Sequence, residues 1–278
     1  MSTPSRYARF EGRFYPGEAS GLQKLLSRLD RENPYPVPEI GPDSIYGAIL
    51  PHAAHVYSGW QTLPFFQWLR NLGMYPETWV ILHPNHRGTG APVSLDSSRL
   101  WINCLGEVPI DRKLASLLPF PEDGSAFQEE HSGEVLLPFL QHHMGSRPFS
   151  ILPVCMKDQS AGQAHNLAKT LLDARSGLHR DMMILASSDF SHFLSPEAGF
   201  RADQKVLDLI FSRDGLGLEA VIRAEGISVC GYGPILALME YSRLKDENYQ
   251  TRILARGHSG EVRPSPHVVD YISMALYS

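Results

Sequence analysis

Short, almost continuous apolar runs recur along the chain and are typical of strands that are buried on both faces of a sheet. They lie at Ile45–Leu50, Thr78–Leu82, Phe149–Val154 and Met182–Ala186. Between and after them, leucines and other apolar residues are spaced as on one face of a helix. This spacing predicts helices at Gly21–Asp30, Ser58–Leu72, Ser160–Ala174, Val206–Phe211, Leu216–Ala224 and Pro234–Lys245. The alternation predicts one α/β domain over residues 1–278, with a mainly parallel central sheet flanked by helices.

Two regions depart from this alternation. Pro92–Pro109 alternates apolar and polar residues, which predicts a β-hairpin or an insertion. Towards the end of the chain, Thr251–Arg256 and Val268–Leu276 are predicted to be closing strands. Pro34–Pro42 is rich in proline but short, so we interpret it as a loop and not as a boundary between domains.

Composition narrows the classes of partner. The formal net charge is −5 and lysine and arginine form no cluster, which argues against a nucleic-acid partner. No apolar run approaches about 18 residues, so no membrane partner is expected. The three cysteines form no C-x-x-C pair, and the first residues contain no apolar signal segment. These features predict reduced thiols and a cytoplasmic protein.

Polar residues with catalytic or metal-binding chemistry come directly after three of the predicted strands. They are His52 and His55, then His83 and His86, and finally Asp189 and His192. The carboxyl ends of parallel strands meet at one edge of a sheet, and ligands of open α/β sheets bind there. The histidines and the aspartate are therefore expected to converge although they lie far apart in the sequence.

Each of these residues also has a plainer interpretation. A single histidine after a strand usually forms a hydrogen bond with a backbone carbonyl. The aspartate in the segment SSDFSH equally suits a helix cap. Near Glu129 and Glu130 we interpret the acidic pair as the start of a helix, and His131 as a pocket residue. No dinucleotide-binding, P-loop, H-E-x-x-H or G-x-S-x-G motif is present.

Several longer segments together resemble the Memo family (mediator of cell motility). The segments are GRFYPG, ILPHAAHVYSG, LHPNHRG, EEHSGEVLLPFL, ILPV, ASSDFSHF and CGYGPI, in the order of the family and across nearly the whole chain. The resemblance implies a fold similar to the catalytic subunits of class III extradiol ring-cleaving dioxygenases. In those enzymes two histidines and one carboxylate hold Fe(II) and leave positions open for substrate and O₂.

Carried over residue by residue, the resemblance implies a mononuclear metal site in which His52, His86 and Cys230 are the ligands. Two imidazoles and a thiolate suit one divalent or redox-active ion, with iron expected first and copper or zinc as alternatives. Asp189 and His192 would line the site as catalytic residues, with His192 as the general base and Asp189 orienting it or sharing a water. Cys104 and Cys155 lie in strand-like segments and are expected to be buried hydrophobes.

The sequence also departs from the family pattern. The segment PHAAH has His55 where an aromatic residue is usual, and His83 replaces a glycine before P-N-H. Tyr232 stands where a basic residue is usual. Together with His131, these three residues are the candidates for contact with a substrate.

Three functions remain open from the sequence. The first is a metal-dependent oxidoreductase, similar to a dioxygenase, of unknown substrate; the second is a zinc-type hydrolase with the same ligands. The third is a non-enzymatic module that binds a peptide or metabolite. The expected partner is a small-molecule or peptide ligand. For bacterial and archaeal members the resemblance also implies a functional link to a radical-SAM protein, and it leaves assembly into a homo-oligomer open.

Overall fold

A computed structural model describes residues 5–178 and 181–278 of the chain. The strands are β1 (Ser5–Tyr7), β2 (Ile45–Leu50), β3 (Thr78–Pro84), β4 (Val93–Leu95), β5 (Leu100–Asn103), β6 (Gly106–Pro109), β7 (Ser150–Met156), β8 (Met182–Ser187), β9 (His192–Leu194), β10 (Gln250–His258) and β11 (Val268–Tyr277). The α-helices are α1 (Ala19–Arg31), α2 (His55–Asn71), α3 (Arg112–Ala115), α4 (Leu137–Met144), α5 (Ala161–Leu178), α6 (Pro196–Phe211), α7 (Gly215–Glu225) and α8 (Tyr232–Lys245). Short 3-10 turns lie at Gly124–Ala126, Glu134–Leu136 and Ser259–Glu261.

A large sheet with the strand order β10-β11-β2-β8-β3-β7-β4 forms the centre of the protein. The four strands β2, β8, β3 and β7 are parallel to one another. At one edge β10 and β11 are antiparallel, and at the other β4 is antiparallel to β7. The predicted α/β architecture with helices around a large sheet is confirmed. The sheet is mixed, however, because parallel pairing is confined to its centre.

Both faces of the parallel centre are covered by helices. On β2, Ile49 packs into the cluster formed with α5, α6, α7 and α8, whereas the next residue, Leu50, packs into the cluster formed with α1, α2 and α4. Successive residues of a strand point to opposite faces, so a strand covered on both faces must be apolar throughout. This explains the continuous apolar runs of the sequence. Within residues 5–178 and 181–278, no helix combines the length and the apolar character that crossing a bilayer requires.

The segment Pro92–Pro109 contains the predicted hairpin. Its strands β5 and β6 are antiparallel, and β1 adds in parallel to β5, which gives a separate three-stranded sheet. The strand β9 pairs with the beginning of β11. This short pairing fixes the segment that follows β8.

A buried pair of carboxyl groups, Asp203 on α6 and Asp270 on β11, lies close to this segment. Burial, followed by the hydrogen bond and charge of Asp203, raises the pKa of Asp270 from 3.8 to about 8. The folded protein therefore holds a proton that the unfolded chain releases near pH 4. The stability from this proton is fully present below about pH 4 and is lost as the pH rises towards about 8.

We therefore expect the substitution Asp270→Asn to flatten part of the pH dependence of stability. The amide is neutral at every pH and still bonds to Asp203. The variant should gain melting temperature relative to the wild type as the pH rises from about 4 to about 8. Thermal unfolding at several pH values measures this, with Asp43→Asn at an exposed position as the control. Parallel pH profiles of Asp270→Asn and the wild type would contradict it.

Candidate metal centre

The carboxyl ends of β2, β8 and β3 lie side by side in the sheet and bring the predicted residues together. His52 follows β2, Asp189 follows β8 and His86 follows β3. Cys230 arrives from the loop between α7 and α8. One ligand atom from each of His52, His86 and Cys230 lies within 4.8 Å of the others. These residues can hold a single metal ion.

The imidazole of His52 is buried, and its hydrogen bonds fix which nitrogen is free. Its Nδ1 lies 2.7 Å from the hydroxyl of Ser187, and that hydroxyl donates to the backbone carbonyl of Ser132 at 2.7 Å. The hydroxyl proton is therefore in use, so Nδ1 must carry the imidazole proton and Nε2 keeps its lone pair. Burial, reinforced by the neighbouring imidazoles, lowers the pKa of His52 well below its ordinary value. His52 is thus a neutral imidazole with Nε2 free to bind a cation.

His86 is oriented by the carboxylate of Glu130. Its Nδ1 lies 2.9 Å from one carboxylate oxygen, and its backbone amide donates to the other at 2.6 Å. Ser132 donates to the same carboxylate from its amide and its hydroxyl. Burial alone would raise the pKa of Glu130. The hydrogen bond and charge of His86, together with other neighbouring groups, outweigh burial and hold this pKa far below its ordinary value. A carboxylate behind an imidazole in this way fixes the ring and raises its basicity as a ligand.

Cys230 reaches the site because the residue after it is glycine. A Cβ atom on Gly231 would lie 2.1 Å from the carbonyl oxygen of Ser187, so only glycine allows this approach to the end of β8. The sulfur lies 3.2 Å from His52 Nε2 and accepts from the amide of Asp189 at 3.2 Å. Burial and then the charge of Asp189 raise the pKa of Cys230. A cation is needed to convert this thiol into a thiolate.

Asp189 and His192 occupy different positions around this cluster. One oxygen of Asp189 accepts from the amide of His52 at 2.8 Å, and the other lies 4.0 Å from His52 Nε2. Burial raises the pKa of Asp189 to about 6, against the hydrogen bond from the His52 amide. His192 donates from Nδ1 to the carbonyl of Ser228 at 2.9 Å, which leaves its Nε2 able to accept a proton. The carbonyl of Ser228, and not Asp189, orients His192. The alternative role of Asp189, sharing a water with His192, stays a prediction.

Aromatic rings form one wall of the site. His131 stacks on His86 with ring centroids 4.9 Å apart and meets the edge of His52 at 5.4 Å. Phe14 lies 4.6 Å and Phe10 5.6 Å from the same His131 ring. Burial lowers the pKa of His131 to about 4, so its ring is neutral and is available for packing against a ligand.

The remaining predicted contact residues, His55, His83 and Tyr232, are not among the residues whose ligand atoms converge. His55 is buried, bonds to the carbonyl of Val135 at 2.9 Å, and stacks on Tyr15. It thus packs as the usual aromatic residue of the family pattern would. His83 is also buried, and its Nε2 has no partner among the described residues. Tyr232 begins α8 and packs against the hydrophobic core.

Sequence reasoning missed the residues that orient the imidazoles. Glu130 is 1% exposed and belongs to no helix, so the interpretation of this glutamate as an acidic helix start is wrong. Ser187 and Ser228 likewise act through hydrogen bonds that join distant segments of the chain. No signal in the sequence marks such partners, because a serine or glutamate in a loop is usually solvated.

The structure also contains a cavity away from the metal-site residues. It measures about 610 Å³ between α5, α7 and α8, and none of the metal-site residues lines it. The donor chemistry, and not the size of a cavity, identifies the candidate site.

The fold is similar to that of a solved structure. The crystal structure of an uncharacterized protein from Escherichia coli K12 superimposes with a TM-score of 0.56 at 13% identity, over 84% of this chain and 99% of that chain. A likeness at this identity concerns the fold alone.

The sequence is similar to those of one protein family. A family model described as Memo-like protein matches residues 6–275. A MEMO1 family protein of Methanosarcina acetivorans is 36% identical over 256 residues, which cover 90% of this chain and 91% of the relative. A MEMO1 family protein of Archaeoglobus fulgidus is 35% identical over 274 residues, which cover 98% and 99%. This chain therefore belongs to the Memo family.

Proposed function

We propose that this protein is a metal-dependent oxidoreductase that binds one metal ion through His52, His86 and Cys230. Iron is the first candidate for this ion. The observation that carries the proposal is the convergence of three donor atoms within 4.8 Å, with each imidazole fixed by a separate partner. Two nitrogen donors and one sulfur donor suit iron, copper or zinc and do not suit magnesium or calcium. Three protein ligands leave a position open for water or a substrate.

The choice of redox chemistry over hydrolysis rests on the resemblance to iron-dependent dioxygenases, because the donor set alone allows both. A thiolate is a stronger and softer donor than a carboxylate, and it binds zinc as well as iron and copper. The bound ion would supply one-electron chemistry and the activation of a small molecule such as O₂. We also propose that the fold is similar to that of class III extradiol dioxygenases. The thiolate in place of their carboxylate argues against simple catechol cleavage.

The residues around the ion have distinct proposed roles. His192 accepts a proton at its free Nε2, because Nδ1 is committed to Ser228. Asp189, with one oxygen 4.0 Å from His52 Nε2, accepts a hydrogen bond from a water shared with His192. Phe10, Phe14 and His131 form an aromatic wall, which suits an aromatic part of the ligand.

Elemental analysis of protein purified without added metal and without a histidine tag tests the proposal. We expect near-stoichiometric iron in the wild type, and its loss in Cys230→Ser and in His86→Ala. Cys104→Ser and His165→Ala change the same residue types outside the site and should keep the metal. Oxygen consumption by the metal-loaded protein then tests the redox step.

The metal found decides between the candidate functions. Iron or copper that disappears only with the site variants supports the oxidoreductase. Zinc without oxygen consumption would overturn it in favour of hydrolysis by the same residues. A wild type that binds none of these metals on titration would leave only a module that recognises a peptide or metabolite.

A further inference from the structure

A small aromatic cavity lies where the loop after α1, the first turns of α2 and the 3-10 turn Ser259–Glu261 meet. Its volume is about 210 Å³, and it is lined by Glu32, Pro34, Tyr35, Tyr57, Trp60, Glu261 and Val262. The lining therefore contains three aromatic rings, two carboxylates and no basic side chain. Sites for drug-sized ligands begin at about 300 Å³, so this cavity fits a single head group.

Hydrogen bonds hold the ring of Tyr35 in place before any ligand arrives. The hydroxyl of Tyr35 accepts from Gln61 at 2.8 Å and donates to the carbonyl of Arg256 at 3.1 Å. The amide of Tyr35 also donates to the side chain of Asn33 at 3.1 Å. Tyr57 and Trp60 are three residues apart on α2, so they lie on the same side of that helix. A preformed wall of this kind reduces the entropy cost of binding.

The close packing beneath the cavity requires a glycine in β10. A Cβ atom on Gly257 would lie 2.3 Å from Gln61 Nε2, 2.7 Å from Glu261 Oε2 and 2.8 Å from the hydroxyl of Tyr35. A Cβ atom at this position would displace the ends of these three side chains. Gly257 thus lets the carboxylate of Glu261 lie close to the hydroxyl of Tyr35.

The charge of the cavity is unbalanced. Glu32 pairs with Arg31 at 2.7 Å on the surface. Glu261 accepts from the amide of His258 at 3.3 Å, and no described lysine, arginine or histidine forms an ion pair with it within 4.0 Å. Burial and then the charge of Glu261 raise the pKa of Tyr35. A negative charge beside aromatic faces attracts organic cations.

We propose that this aromatic cavity binds the alkylated ammonium group of a small organic cation. Tyr35, Tyr57 and Trp60 supply cation–π contacts, and Glu261 supplies the opposite charge. Anions are disfavoured because no basic side chain lines the cavity. A bare metal ion is disfavoured because aromatic rings do not replace its oxygen ligands. None of the proposed metal ligands lines this cavity, so either site can fail without the other.

A titration of the full-length protein with choline tests the proposal at constant ionic strength. The indole N–H signal of Trp60, identified with the variant Trp60→Phe, reports binding by NMR. We expect choline to bind about 10-fold more tightly than dimethylbutanol, its uncharged carbon isostere, since cation–π contacts contribute about 1–2 kcal/mol. Titration with the amide of trimethyllysine then distinguishes the two sources of the group. Tighter binding of this amide would assign it to a protein side chain, and tighter binding of choline to a metabolite.

Three variants make the test specific. Glu261→Gln keeps the shape of the side chain and, because this carboxylate is exposed, should weaken choline binding by about 2- to 5-fold. Glu39→Gln removes an exposed charge elsewhere and should leave binding unchanged. Gly257→Ala should abolish binding, and Glu261→Gln alone decides if that variant does not fold. Equal binding of choline and dimethylbutanol, or no effect of Glu261→Gln, would overturn the proposal.

Discussion

Replacing Glu130 with glutamine is expected to weaken metal binding by about 10- to 100-fold, although Glu130 is not a proposed ligand. The carboxylate of Glu130 accepts hydrogen bonds from Nδ1–H and the backbone amide of His86. It also accepts hydrogen bonds from the amide and the hydroxyl of Ser132. Both carboxylate oxygens therefore face donors. In Glu130→Gln an NH₂ group replaces one of the two oxygens, and it faces a donor in either orientation of the side-chain amide. His86 therefore loses its fixed tautomer and direction. Competition between the protein and a chelator for zinc measures the affinity without assuming the natural metal.

Glu129→Gln is a matched control, because the neighbouring side chain is exposed. It should bind zinc as the wild type does. The nitrogen-15 shifts of the His86 ring separate an orienting role from a general loss of structure. We expect a mixture of tautomers in Glu130→Gln and a single one in Glu129→Gln. Unchanged zinc affinity in Glu130→Gln would show that His86 needs no orienting partner.

The centre of the fold was predictable because burial on both faces leaves a strong pattern. β2 and β8 appear in the sequence as apolar runs with nearly the observed bounds. β3 continues two residues beyond its apolar run. There His83 and Pro84 still pair with Cys155 and Met156 on β7. The apolar pattern does not reveal this continuation, because His83 is polar. Its burial depends on a neighbouring strand that is distant in the sequence.

The edges of the sheet could not be predicted in the same way. Whether two strands pair in parallel or antiparallel depends on the connection between them. β10 and β11 are joined by a short segment with a 3-10 turn, which allows antiparallel pairing. β9 contains three residues and pairs with β11 at two positions. Such a strand is too short for periodicity to reveal it.

The site was predictable to different depths. Strand ends alone indicated that His52, His86 and Asp189 would converge, and the structure brings them together. The resemblance to the Memo family was needed for Cys230, which arrives from a loop far along the chain. Glu130 was misread, because its partner His86 lies 44 residues away. Long-range hydrogen bonds of this kind exist only once the chain is folded.

The largest loss of stability is expected for Glu134→Gln, at about 3–5 kcal/mol of unfolding free energy. The carboxylate of Glu134 is buried and pairs with Arg6 at 2.8 Å. It also accepts from the amides of Arg9 and Phe10 and from the hydroxyl of Tyr15 at 2.9 Å. Removing the charge leaves the nearly buried guanidinium of Arg6 without its counter-ion. For a chain of this size, thermal unfolding should show a decrease on the order of 10 °C.

The same substitution tests how the N-terminal segment is held against the wall of the metal centre. Glu134 anchors the segment that carries Phe10 and Phe14, and both rings pack on His131. Glu107→Gln, at an exposed position of β6, should leave the melting temperature unchanged. In the double variant with Arg6→Met, the unpaired charge is gone, so the combined loss should be smaller than the sum of the single losses. Strict additivity would mean that the buried ion pair is not what holds this segment, and that backbone hydrogen bonds to Glu134 carry its stability alone.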